Sequence, residues 1–160
     1  MRIAFDLDNT LIRGKYAFAL ETPKRPFWAR LLRHEPLRAG LVALCEYCRR
    51  HGWEVWVYTT SYRSPFYIRR LFWLYGIRLA GVVNQARHDR EVMVRCTKYP
   101  PQFGIDLLID DAPGVQVEAE RYGFEMLLVA PADEQWVANV QAAATKLAHK
   151  CNAPASNAIK

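Results

Sequence analysis

The sequence predicts an α/β fold of the three-layer, Rossmann-like type, with a mainly parallel central sheet and helices on both faces. Three observations predict it. Apolar β-type runs recur at residues 2–7, 54–59, 81–84, 105–109 and 125–129, and helix-spaced apolar patterns lie between them. Alternation of this kind places parallel strands side by side with crossover helices on the faces of the sheet. Finally, three of the runs end in polar groups suited to chemistry: Asp6 and Asp8, then Thr59, Thr60 and Ser61, then Asp110 and Asp111. In an open parallel sheet, ligands sit outside those carboxyl ends.

The elements follow in order. After the first strand, residues 13–36 are the least regular part, with four prolines or glycines (Gly14, Pro23, Pro26 and Pro36) and a Tyr-Ala-Phe-Ala-Leu alternation. A turn, a short hairpin strand and one small helix are expected there, forming a flap or small insert of about two dozen residues, far below a separate domain. Apolar spacing predicts a helix over 37–50, closed by His51-Gly52, and a second over 65–75. The second starts with a cap hydroxyl and a proline at Ser64-Pro65 and stops at Gly76. Ala112-Pro113-Gly114 introduces a helical run over 115–122, ended by Gly123, and 134–150 reads as the last helix. The expected organisation is one domain over 1–150, followed by a loose tail at 151–160. No internal repeat is present.

Composition narrows the function classes. Of the 160 residues, 51% are apolar and 24% charged, which argues against disorder and against a coiled coil. No apolar run approaches the ~20 residues of a membrane span, and no basic segment followed by a long apolar stretch opens the chain. Four scattered cysteines do not make a secreted disulfide scaffold. A cytoplasmic protein that does not engage a membrane is expected. The net charge is +6, with the arginines concentrated in the first two thirds and an acidic stretch from 106 to 134. Such a field favours an anionic partner, nucleic acid included, or is simply a solvated basic surface.

Four carboxylates converging in one crevice would raise each other's pKa unless a cation were present, and an all-oxygen donor set with room for water suits Mg²⁺. A carboxylate beside such a cation can attack phosphorus, while a second one handles the leaving group's proton. The spacing of Asp6 and Asp8 serves that division, because the intervening Leu7 points the other way.

Asp6-Leu7-Asp8-Asn9-Thr10 resembles the first motif of the haloacid dehalogenase (HAD) superfamily, Asp-x-Asp-x-Thr/Val, and the remaining motifs appear in order. Tyr58-Thr59-Thr60-Ser61 resembles the second motif, and Ile109-Asp110-Asp111 the acidic fourth. The third needs a lysine between them, and Lys98 is the only lysine from Thr59 to Asp111. Taken singly, each has an ordinary reading: a turn, a strand end, a surface charge, a solvated loop. Together they occupy matching strand ends across about 105 residues.

The resemblance implies a phosphatase. By it, Asp6 is nucleophile and Mg²⁺ ligand, and Asp8 is general acid and base, also lending its backbone carbonyl to the metal. Thr59 binds phosphate oxygen, Lys98 neutralises charge, Asp110 is the remaining metal ligand, and Asp111 supports it or ligates through water. Asp8 points to phosphatase chemistry, since dehalogenases and ATPases of the superfamily typically lack an aspartate there. The short insert resembles the minimally capped class, whose open site suits a bulky phosphorylated substrate or is completed by a neighbouring subunit. The alternatives are phosphoryl transfer to another acceptor, or an anion- or nucleic-acid-binding protein of the same fold without turnover.

Tyr62, Arg63 and Phe66 follow the second motif in the stretch SYRSPFYIRRLFWLYG. They could hold a base or a second phosphate. The plainer expectation is that Phe66, Ile68, Leu71, Phe72 and Tyr75 pack their helix onto the sheet while Arg69 and Arg70 face water. Thr60 and Arg63 remain substrate-binding candidates because their loop borders the site. Cys45-Glu46-Tyr47-Cys48, with His51 nearby, lies within one helix and lacks a fourth zinc ligand, so buried thiols are expected. His34 and His88 have no assigned role.

Overall fold

The computed structural model describes residues 1–152, with side chains to residue 150. Five strands form one sheet: β1 (Arg2–Phe5), β2 (Glu54–Tyr58), β3 (Gly81–Val83), β4 (Leu107–Asp110) and β5 (Met126–Leu128). Their order is β3-β2-β1-β4-β5, and every pairing is parallel. The order reverses at β1, so the crevice between the ends of β1 and β4 is the switch point where such sheets bind ligands.

Alternation along the strands sorts the core into two faces. Ile3, Phe5, Leu7, Val55, Val57, Leu107 and Ile109 face one cluster, which also takes Leu41 and Leu44 of α2 (Leu41–Arg50), Ile68 and Phe72 of α3 (Pro65–Leu74), and Val140 of α6 (Trp136–Asn152). Ala4, Tyr58, Val83 and Leu108 face the other, with Phe103 and with Val115 of α5 (Pro113–Tyr122). Leu7 is fully buried. Burying a side chain of this kind contributes about 1.5–3 kcal/mol, which anchors the turn carrying Asp6 and Asp8.

The insert differs from expectation in detail. Its small helix is present as α1 (Pro26–Leu31), but the hairpin strand reduces to a single antiparallel bridge, Leu20 with Arg38. Leu37 and Arg38 are drawn into bridges with Ile12 and Leu20, so α2 begins at Leu41 instead of 37. A further helix, α4 (Gln85–Glu91), and a 3-10 turn (Pro100–Phe103) lie between the strands expected at 81–84 and 105–109, where the sequence suggested no element. α4 is polar apart from Ala86 and carries no apolar periodicity; its start is fixed by Asn84, whose side chain accepts from the Arg87 N–H. α6 runs to Asn152, two residues past the expected boundary, and the rest of the expected tail lies outside the described residues. Among the described residues, no helix is long and apolar enough to cross a membrane.

Candidate active site

Register builds the centre of the site. Phe5 is level with Val57 on one side and Ile109 on the other, so the next residue, Asp6, is level with Tyr58 and Asp110. The Asp6 N–H donates to the Ile109 carbonyl at 2.9 Å, which continues the ladder one residue past the strand. Asp6 and Asp110 have the parity of Ala4 and Leu108, and both are buried on that face.

Lys98 reaches them from the segment between α4 and the 3-10 turn. Its side chain is buried, with Nζ 2.5 Å from Oδ1 of Asp6 and 2.5 Å from Oδ2 of Asp110. Burial alone would lower the ammonium pKa, but the two carboxylates outweigh it and hold Lys98 above its ordinary value. The backbone here is fixed by Glu118, whose carboxylate accepts from the N–H groups of Thr97 and Lys98 at 2.8 and 3.2 Å. Tyr58 adds a second tether. Its hydroxyl accepts from the Tyr99 N–H at 2.9 Å and lies 2.5 Å from Nδ1 of buried His88. His88 thus helps to hold the Lys98 segment, and His34 bonds the Ala29 carbonyl within the insert and the Tyr75 hydroxyl at the end of α3.

Asp6, Asp110 and Asp111 each offer a carboxylate oxygen, all within 4.8 Å of one another. Burial, opposed by Lys98 and reinforced by Asp110, pushes the Asp6 carboxyl up to about 6. Burial also raises Asp111, although the hydroxyl of Thr10 donates to it at 2.8 Å. Three carboxylates face a single ammonium. That excess of negative charge and the all-oxygen donor set fit a hard divalent cation.

The turn after β1 separates Asp8 from this cluster. Asn9 takes a left-handed conformation, φ 65°, which asparagine tolerates better than most residues, and the Leu7 carbonyl accepts from the N–H groups of Leu11 and Ile12. The Asn9 carboxamide accepts from the Lys15 N–H, and a Cβ at Gly14 would displace that carboxamide. Oδ2 of Asp8 meets Nη1 of Arg63 at 2.9 Å. Arg63 is clamped by Glu35 of the insert, whose carboxylate accepts from Nε and Nη2 at 2.8 and 2.7 Å, and its Nη1 also donates to the Ser61 hydroxyl at 2.9 Å. The bond to Glu35, aided by Asp8, holds the guanidinium pKa above its ordinary value.

Thr59 is buried at the end of β2, and its Oγ1 accepts from the Ser61 N–H at 3.1 Å; Thr60 is exposed in the same loop. The structure therefore gathers Asp6, Lys98, Asp110 and Asp111 into one cluster and joins Asp8 to Arg63 beside it. Thr10, Glu35 and Glu118 were given no role from sequence, and Ser61 was noted only as a polar group at a strand end. Thr10 sits inside the first motif, but Glu35 and Glu118 carry no local signal, because their partners are distant in the chain.

No family model and no curated protein matches the sequence. Among solved structures, the chain is similar to a HAD-superfamily hydrolase, subfamily IA variant 1, from Geobacter sulfurreducens PCA. The identity is 15% over 82% of this chain and 88% of that one, with a TM-score of 0.51. The fold is that of the HAD superfamily. A second solved structure is matched over less of its own length: a chain in the structure of a Pnkp1/Rnl/Hen1 complex aligns at 15% identity and a TM-score of 0.52, over 82% of this chain but 46% of that one.

The sequence expectations for the surrounding helices are met in part. Ile68, Leu71, Phe72 and Tyr75 are buried, but Phe66 is 74% exposed and does not pack the helix onto the sheet. It lies two residues before Ile68, on the opposite side of the helix from the buried Ile68, Leu71 and Phe72. Cys45 and Cys48 are buried thiols, as expected.

Proposed function

We propose that the chain is a Mg²⁺-dependent phosphomonoester hydrolase working through an aspartyl phosphate on Asp6. The observation that supports this most is the pairing of a buried Asp6 with Lys98 beside two further carboxylates at the switch point. Asp6, Asp110 and Asp111 would hold the metal through carboxylate oxygens, and Asp8 through its backbone carbonyl. When bound, Mg²⁺ supplies positive charge that neutralises Asp6 and the phosphoryl oxygens.

In the first half-reaction a carboxylate oxygen of Asp6 attacks phosphorus. The ester P–O bond breaks with its electron pair going to the leaving oxygen, and Asp8 delivers the proton to that oxygen. In the second, Asp8 takes a proton from water as it attacks the phosphorus of the aspartyl phosphate, which releases phosphate and restores Asp6. Lys98 balances the charge on Asp6 and the phosphoryl group throughout. Thr59 and Thr60 bind phosphoryl oxygens, and Arg63 orients Asp8 and meets the substrate. We read residues 1–150 as one catalytic unit, with 13–36 as a flap that leaves the site open to bulky esters.

Hydrolysis of an aryl phosphate is the test. Turnover that needs Mg²⁺, stops with chelator and is lost in Asp6→Asn is expected. Undiminished turnover in chelator or in Asp6→Asn would refute the mechanism.

A further inference from the structure

Two elements beside the site carry no acidic residue. There is no Asp or Glu between residues 22 and 34, which include α1, or between 61 and 88, which include α3. On α3, Phe66, Arg69, Arg70 and Trp73 recur at i, i+3, i+4 and i+7 and so share one face. At this spacing a stripe is normally buried. Here Phe66 and Trp73 are exposed, and the core is served by Ile68, Leu71 and Phe72 instead. The stripe covers about 10 Å of helix.

α1 extends the surface. Phe27 is 71% exposed, and Arg30 projects from the same short helix. Trp28 meets the Trp73 ring edge-on at 6.5 Å, and the Arg25 guanidinium lies 4.3 Å from the Trp73 ring centroid. At the other end, Arg63 lies just before the Ser64 cap of α3 and bonds Asp8. The aromatic and arginine face therefore begins at the candidate site and leads away from it.

We propose that this face is a track for single-stranded nucleic acid whose terminal phosphate ester enters the site. Exposed rings separated by arginines match a ligand that alternates flat π-faces with phosphates; the carboxylates at the site end, Glu35 and Asp8, are bonded to Arg63. A second copy of the chain would bring the same arginines against each other. The assignment of the terminal phosphate rests on the hydrolase reading above; the track itself does not.

The test uses the full chain and a fluorescein-labelled oligo(dT) of about a dozen nucleotides, a length that spans typical single-strand sites. The oligonucleotide lacks a terminal phosphate, and binding is followed by anisotropy over a salt series. Two variants, Phe66→Ser and the double Phe27→Ser/Arg30→Glu, are compared on this probe and on an aryl phosphate. Wild type should bind more weakly as salt rises. Each variant should lose about tenfold in affinity, as expected when a stacking ring is removed, with aryl-phosphate kcat/KM unchanged. Absence of salt-dependent binding, or equal binding by the variants, overturns the track. Anionic-vesicle binding or dimerisation that the variants abolish, without oligonucleotide binding, assigns the face to a membrane or a second copy and overturns it as well. Oligonucleotide binding without aryl-phosphate hydrolysis upholds the track while refuting the hydrolase reading; hydrolysis without binding does the reverse.

Discussion

Nη1 of Arg63 lies 2.9 Å from Oδ2 of Asp8, although 55 residues separate them in sequence. The same guanidinium is gripped by both oxygens of Glu35. The fork fixes the direction from which the charge meets Asp8, and an ammonium cannot reproduce it. Arg63→Lys should therefore lower kcat/KM on an aryl phosphate by about tenfold, equivalent to ~1.4 kcal/mol, with an unchanged circular dichroism spectrum.

Glu35 gives a pH-dependent prediction. Burial works against its ionisation, but the bonds from Arg63 and Tyr67 outweigh it and hold its pKa below the usual glutamate value of 4.5. A carboxyl depressed in the folded state contributes stability that is present above its unfolded pKa and lost as pH falls through the folded value. Glu35→Gln should lower the unfolding free energy measured in urea at pH 7 by about 1 kcal/mol, the size for a partly exposed pair. The difference from wild type should vanish in acid below the depressed pKa.

Removing Lys98 should be more severe. Lys98→Met leaves Asp6 and Asp110 facing each other without their buried cation, and a broken buried pair costs about 3–5 kcal/mol. Denaturant unfolding in chelator should show a loss of that size, and aryl-phosphate turnover should be absent even where the variant is fully folded.

The Cys45–Cys48 pair should be chemically quiet. Burial raises both thiols, Cys48 to about 11, so little thiolate exists at neutral pH. In a Cys96→Ser/Cys151→Ser background, a disulfide reagent should leave both unmodified in the folded protein and titrate them on unfolding in guanidinium. Rapid modification before unfolding would contradict their placement in the core.

The sheet was legible because buried parallel strands print continuous apolar runs, and the strand ends Asp6, Thr59 and Asp110 could be found by counting along them. Lys98 was legible by its isolation in sequence. α4 was not, because it is held by the Asn84 cap and by polar contacts, which leave no apolar period. Nor was the Glu35–Arg63–Asp8 chain, which depends on where the irregular insert folds back. Phe66 shows the limit of composition reading most clearly: it is a large apolar residue, but it lies on the face of α3 opposite Ile68, Leu71 and Phe72 and is exposed.

The central claim is that Asp6 forms the bond to phosphorus. The most direct measurement is to acid-quench the protein during turnover of an aryl phosphate with Mg²⁺, digest it and locate any phosphoryl group by mass spectrometry. A hydroxylamine-labile phosphoryl group on the peptide bearing Asp6, absent from Asp6→Asn, is the result predicted. A phosphoryl group on another residue, or undiminished turnover by Asp6→Asn, would contradict the account.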